Sequence, residues 1–221
     1  MNTIRVPISA GLKLGLVLTA ILMMMMFFRP ATGPEVVVTV TGILYGGRDD
    51  FGIFGMGRVM PKGTPYTLIF TFDDTKGKPM PARCPGSGSG IVGSGQFSPA
   101  TAVLTINDKS YGFGNKPDAR SKTWRHTPSV CSESEIGIAV EEGPSSLASG
   151  VNIRIGPNRA DGPLTQDGDW RDALSLSRFN ARSGENAFAI RRPWNYSAET
   201  MSYFSVDSIT ISGPQKASAE R

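Results

Sequence analysis

The residue types best suited to chemistry are scarce in this 221-residue chain: two cysteines, Cys84 and Cys131, and one histidine, His126. A nucleophilic thiol would need an activating base, and His126 stands five residues before Cys131. A redox pair would want a Cys-x-x-Cys spacing, which is absent. One histidine cannot build a structural zinc site, which takes four Cys or His ligands. Gly86-Ser87-Gly88-Ser89-Gly90 has the look of a nucleophile elbow but carries glycine at the centre, where serine is required. Gly88-Ser89-Gly90-Ile91-Val92-Gly93 satisfies Gly-x-Gly-x-x-Gly, yet Pro99 follows and no helix opens, so the dinucleotide context is missing and the run reads as a flexible loop.

Carboxylates are the remaining candidates. Glu133, Glu135, Glu141 and Glu142 supply enough acids for glycoside hydrolysis, which needs two facing each other across a scissile bond; Glu141-Glu142 at a strand end reads as a solvated turn. Asp49 and Asp50 could contribute to a calcium site, but calcium wants six to eight oxygens, and acceptors for turn amides is the simpler role. Asp161, Asp167, Asp169 and Asp172 cluster around Gly162 and Gly168 without matching a calcium-loop pattern. No catalytic, cofactor-binding or metal-binding residue is assigned on these grounds, and no cofactor is implied.

The compartment decides how the cysteines are read. Leu14 to Phe28 is an uncharged apolar run preceded by Arg5 and Lys13, the pattern of an export signal. The exit at Ala31-Thr32-Gly33-Pro34 is a poor cleavage site. A membrane span takes about 20 apolar residues, so an anchor over residues 11–28 is the alternative to a cleaved signal. Either form delivers the remainder to the periplasm or the exterior, released or tethered to the inner membrane by that segment alone. Export with an even cysteine count points to one disulfide, Cys84 to Cys131. Closing a loop of that span would be worth about 4 kcal/mol in the chain-entropy picture.

Charge narrows the partners. The chain holds 23 Lys and Arg against 19 Asp and Glu. Residues 1–32 contain Arg5, Lys13 and Arg29 and no acid, so the remainder carries 20 against 19. A near-neutral exported domain gives no case for nucleic acid. Arg120, Lys122 and Arg125 around Trp124, flanked by Lys116, form the nearest thing to a basic cluster, read either as a solvated loop or as a phosphate or glycan contact. Trp124, Trp170 and Trp194 with Tyr196 are candidate aromatic contacts for a glycan or protein ligand, with capping of the sandwich core the simpler role for each taken singly.

The elements that must position these residues are strands. Period-two alternation runs through Val36, Val38 and Val40; Tyr66, Leu68, Phe70 and Phe72; Ala102, Leu104 and Ile106; Ile136, Ile138 and Val140; and Val151, Ile153 and Ile155. Met201 to Ser212 reads as one long strand or two with a bend at Asp207-Ser208. Asp169 to Ala181 reads as a short helix or a strand, and Gly52, Gly55 and Gly57 supply left-handed turns that tuck Phe51 and Phe54 under a sheet edge. With 26 Gly and 16 Pro, the expectation is an all-β, antiparallel β-sandwich, jelly-roll and immunoglobulin-like connections both open, with long loops at 77–98, 114–135 and 156–169. Domain bounds are 1–33 for the signal or anchor, 34–212 for the sandwich and 213–221 for a disordered tail.

Thr39-Val40-Thr41-Gly42, then Gly46 to Gly55, then Tyr66-Thr67-Leu68-Ile69-Phe70-Thr71-Phe72-Asp73 resembles the opening of a recurrent group of uncharacterised exported bacterial proteins. Ser98 to Asp108 with Tyr111-Gly112-Phe113, and Ser205 to Thr210, resemble that group's later units. The resemblance implies a β-sandwich whose first strand ends at Thr-Gly, and no inherited activity. Many relatives carry a C-terminal Pro-Glu-Pro sorting segment, which the polar tail here does not match. The expected function is a non-catalytic exported protein acting in binding or at the cell envelope; the alternative is a hydrolase of envelope or extracellular polymers using loop carboxylates.

Overall fold

Fifteen residues of unbroken strand, Glu35–Asp49, organise everything that follows. The computed structural model describes residues 35–80, 88–126, 135–144, 148–156, 169–171, 173–177, 186–192 and 195–213. The N-terminal segment, both cysteines, Trp194 and the tail beyond 213 lie outside them, as do most of the loop at 156–169 and the end of the run to Ala181. In chain order the strands are β1 (Glu35–Asp49), β2 (Val59–Met60), β3 (Pro65–Asp73), β4 (Lys78–Pro79), β5 (Gly88–Ser94), β6 (Ala100–Ile106), β7 (Lys109–Phe113), β8 (Arg120–His126), β9 (Glu135–Glu142), β10 (Ser149–Ile155), β11 (Leu174–Ser177), β12 (Ala187–Arg192), β13 (Asn195–Phe204) and β14 (Ser208–Ser212). All pairings are antiparallel, so the fold is all-β, as the alternation predicts.

β1 belongs to two ladders. Its first part pairs β3, from Glu35↔Asp73 to Ile43↔Pro65, and β14, from Val37↔Ser212 to Thr41↔Ser208. Its last part pairs β13, from Leu44↔Phe204 to Asp49↔Thr200, and β2. The first ladder is therefore β7-β6-β3-β1-β14-β11, and the second runs β4-β5-β8-β9-β10-β12-β13-β1-β2. The buried sides of both feed one hydrophobic core, with Val36, Phe70 and Leu104 from the first and Ile138, Ile153 and Phe188 from the second. Burial on that scale, at about 25 cal/mol per Å² of apolar surface, is what holds the ladders together.

The change of ladder is possible because side chains are absent where the backbones converge. At Gly42 a Cβ would stand 2.1 Å from the Ser205 carbonyl oxygen; at Gly47 it would stand 2.2 Å from that of Met201. Between Leu44 and Gly47 the register with β13 slips, a bulge that sharpens the bend. The link from β13 to β14 crosses between ladders at the same level. Ser205 N–H donates to the Ile43 carbonyl at 2.9 Å, Asp207 N–H to that of Thr41 at 2.8 Å, and the Tyr66 hydroxyl to the Ser205 carbonyl at 2.8 Å. Burial, reinforced by the Asp207 carboxylate, pushes the Tyr66 phenol far above the ordinary tyrosine range.

Several expectations change here. β1 does not end at Thr41-Gly42; Gly42 is a crossing point inside the strand. Gly88 to Gly93 is not a flexible loop but lies within β5, paired with β8 from Gly88↔His126 to Ser94↔Arg120. Two of its glycines are kept by crowding: a Cβ would meet the Thr123 carbonyl oxygen at 2.5 Å at Gly90 and the Phe97 carbonyl oxygen at 1.9 Å at Gly93. The expected loops at 77–98 and 114–135 thus contain β4, β5 and β8. Leu174–Ser177 is a strand on β14, and no helix forms across the described part of Asp169 to Ala181. Met201 to Ser212 is two strands, parted at 205–207. Gly52, Gly55 and Gly57 have φ of 64°, 67° and 74°, and Phe54 is fully buried as expected.

Gly42→Ala is the sharpest test of the crossing. The added methyl has to displace backbone, so it should lower stability by about 3 kcal/mol, the upper end of overpacking costs, read as a lowered guanidinium midpoint. Gly52→Ala, strained in φ but with open space around it, should cost about 1 kcal/mol. Equal losses would show that the convergence at Ser205 is not what demands glycine.

Candidate functional site

The strands at the far end of the second ladder carry a groove. Cross-strand register places Lys78, Val92, Lys122 and Ala139 in one row and Ser94, Arg120 and Glu141 in the next. With Thr75, Gly77 and Phe97 they line a groove of about 900 Å³. Alternation along β8 explains the arrangement: Arg120, Lys122 and Trp124 point outward, while Ser121, Thr123 and Arg125 are buried. Phe97 ends a single 3-10 turn, Gly95–Phe97, and is 61% exposed beside a partly exposed Val92.

The cations of the groove are loosely held. Arg120 meets Glu141 at 3.5 Å with both side chains substantially exposed, a pair worth little in water. Its Nε is buried without a hydrogen-bond partner. Lys122 Nζ sits 5.2 Å from the centre of the Trp124 ring and, like Lys78, makes no ion pair among the described residues. At the groove's end the Thr75 hydroxyl holds the Asp73 carboxyl below the usual carboxylate range, helped by Lys76.

The expected basic cluster is therefore divided. Arg125 points inward, buried, and donates to the Asp169 carbonyl at 3.2 Å. Lys116 pairs with Glu142 at 2.9 Å, and this hydrogen bond raises the lysine above its ordinary value. Glu142 is only 2% exposed and also accepts from Gly114 N–H at 3.1 Å. The expected solvated Glu141-Glu142 turn is instead the end of strand β9: Glu141 is exposed beside Arg120, and strand alternation carries Glu142 inward.

The aromatic contacts fare unevenly. Trp170 is not an exposed loop platform: it is 4% exposed, its ring 5.2 Å from that of Phe72. Trp124 lies half-buried on a strand, its indole flat over the cross-strand Gly137, where a Cβ would fall 2.0 Å from the ring. Its Nε1 donates to Glu135 at 2.6 Å, and Glu135 also pairs with Arg154 at 2.7 Å. Trp194 and the Tyr196 side chain lie outside the described residues. Phe97, the most exposed ring of the groove, was not among the expected contacts; a three-residue turn between strands leaves no periodic signal.

The acids are mostly employed in structure. Asp49, 1% exposed, accepts from Ile53 N–H at 2.8 Å, Phe54 N–H at 2.9 Å and the Thr200 hydroxyl at 3.0 Å. Asp50 accepts from Glu199 N–H at 3.1 Å and pairs with Arg48. Asp49 is a turn acceptor, the simpler of the two roles considered, whereas Asp50 accepts from a strand amide of β13 and an arginine. Asp169 binds Arg171, through its N–H at 3.0 Å and its guanidinium at 3.2 Å. Among the described residues no group of three or more His, Cys, Asp or Glu could hold a metal ion. Cys84, Cys131, Glu133, Asp161, Asp167 and Asp172 lie outside the described residues, as does the His126 side chain. No described helix is long and apolar enough to cross a membrane, and residues 11–28 are outside that description too.

No family model, curated protein or solved structure matches this chain significantly.

Proposed function

We propose that this chain is an exported, non-catalytic binding protein of the bacterial envelope, acting through the groove between β4 and β9. One observation carries the reading: Glu135, Glu141, Glu142 and Glu199 are each joined to a cation, whereas the groove offers Lys78, Lys122 and an exposed Phe97 to a ligand. Paired carboxylates with no facing partner suit structure better than acid–base work, which needs a proton acceptor within reach of substrate. The full chain, incubated with isolated envelope polysaccharide, should be retained by the polymer while the count of reducing ends stays flat. A steady rise in reducing ends would overturn this reading in favour of the hydrolase.

Export rests on Leu14 to Phe28 with its basic flank, and the disulfide on the register of β5 and β8. Gly88 faces His126 at the end of that ladder, so Cys84 and Cys131 stand four and five residues beyond one shared rung. Segments that short, at about 3.3–3.6 Å per residue fully extended, are long enough to let the two thiols meet and short enough to make a closed pair the simplest reading. Mass measurement on non-reduced protein from the envelope and soluble fractions should show a two-proton deficit, at about 2 Da, as expected for one closed disulfide. Free thiols at both cysteines, or recovery only from the cytoplasm, would remove the disulfide and the export assignment respectively.

A further inference from the structure

The groove's chemistry specifies the class of ligand, an inference that rests on the binding role proposed above. We infer that it takes an acidic saccharide, sugar rings bearing carboxylate or phosphate, laid across β4, β5 and β8 with one ring face against Phe97.

Four observations converge. Charge comes first: Lys78, Arg120 and Lys122 face the groove against the single carboxylate of Glu141, on a domain that is otherwise close to neutral. A local cationic strip on a neutral body selects anions by contact and not by a long-range field, which is screened within about 8 Å at physiological salt. The second is a weakly held guanidinium. Arg120 meets Glu141 only at 3.5 Å through a terminal nitrogen, with both side chains substantially exposed, a pair worth little in water, so a ligand oxygen can replace that contact. The third is apolar. Phe97 and Val92 are exposed at the rim, and a ring face beside cations suits a ligand that is both charged and carbon-faced, which inorganic phosphate or a free carboxylate is not. The fourth is size. A volume of about 900 Å³ lies at the upper end for ligand sites, enough for several linked rings.

The row geometry adds direction. Lys78 and Lys122 flank Val92 across β5, two strand spacings or about 9.5 Å apart between backbones, and Arg120 lies two residues along β8 from Lys122. Charges spaced along a chain engage these positions together where a single acidic group engages one. An extended acidic peptide could meet the cations but would leave Phe97 without a flat apolar face to cover.

The test is calorimetric titration of the full-chain protein with oligogalacturonate, with a phosphomannan oligosaccharide, with neutral dextran oligosaccharide and with poly-glutamate, at low and high salt. Binding is expected for the first or second probe, which identifies the anion as carboxylate or phosphate. It should weaken about tenfold for Lys122→Ala, for Arg120→Ala and for Phe97→Ala, a factor that corresponds to loss of one good contact. Lys62→Ala, an exposed cation away from the groove, should leave affinity unchanged, and melting curves should show all variants folded. Preference for dextran would overturn the acidic class while leaving a binding role standing. Equal binding of poly-glutamate, or acidic-sugar binding indifferent to Lys122 and Phe97, would overturn the saccharide or the site. Failure of all four probes would overturn the inference, and the reducing-end assay then decides separately whether the chain is a hydrolase.

Discussion

Two backbone segments change ladder at one point, and the fold depends on their doing so in contact. β1 leaves the β3–β14 side at Gly42 while residues 205–207 cross the other way. The Ser205 carbonyl sits where any Cβ on Gly42 would be, and the Tyr66 hydroxyl, buried and held neutral, closes the polar account of the crossing. A buried carbonyl left without a partner would cost about 1–3 kcal/mol, so the phenol matters out of proportion to its single bond. Because β1 is a central strand of one ladder and a near-edge strand of the other, the crossing fixes how the two apolar faces meet.

The far end of β1 is secured by a second polar device. Asp49 gathers two turn amides and the Thr200 hydroxyl, which seats Phe54 edge-on to Phe188 at 5.8 Å between centroids. Phe51 lies outside this plug under the Arg192 guanidinium at 4.5 Å. The glycines around them take left-handed dihedrals that other residues reach only at a cost. From Thr200 the second ladder runs through β12, β10 and β9 to the groove, so the groove's strands stand on a frame anchored at the crossing and at the Asp49 end of β1.

The first ladder and the β9–β10 pair were legible because their inward residues are large and apolar. Val36, Phe70, Leu104 and Ile153 alternate with residues plainly unlike them. β5 and β8 were hidden for opposite reasons. In β5 glycine occupies positions where neighbouring backbone leaves no room, so there is no alternation to see. In β8 the buried positions are Ser121, Thr123 and Arg125, which a hydropathy pattern reads as surface. Since these two strands build the groove, the site was the least visible part of the chain: Trp124 and its basic neighbours were noticed, but their division between two faces, and the role of Phe97, needed the register. Asp49 shows the converse, a residue whose turn role was readable because Asp ahead of a Gly-rich, aromatic turn has few other uses.

The claim that one shared strand makes the two ladders a single cooperative unit is tested most directly by native-state hydrogen exchange, comparing amides of β3 in the first ladder with those of β9 in the second. The crossing predicts one opening free energy for both, falling together with added denaturant, because neither ladder can detach without breaking β1. Exchange of β3 through a separate, lower-energy opening while β9 stays protected would contradict it.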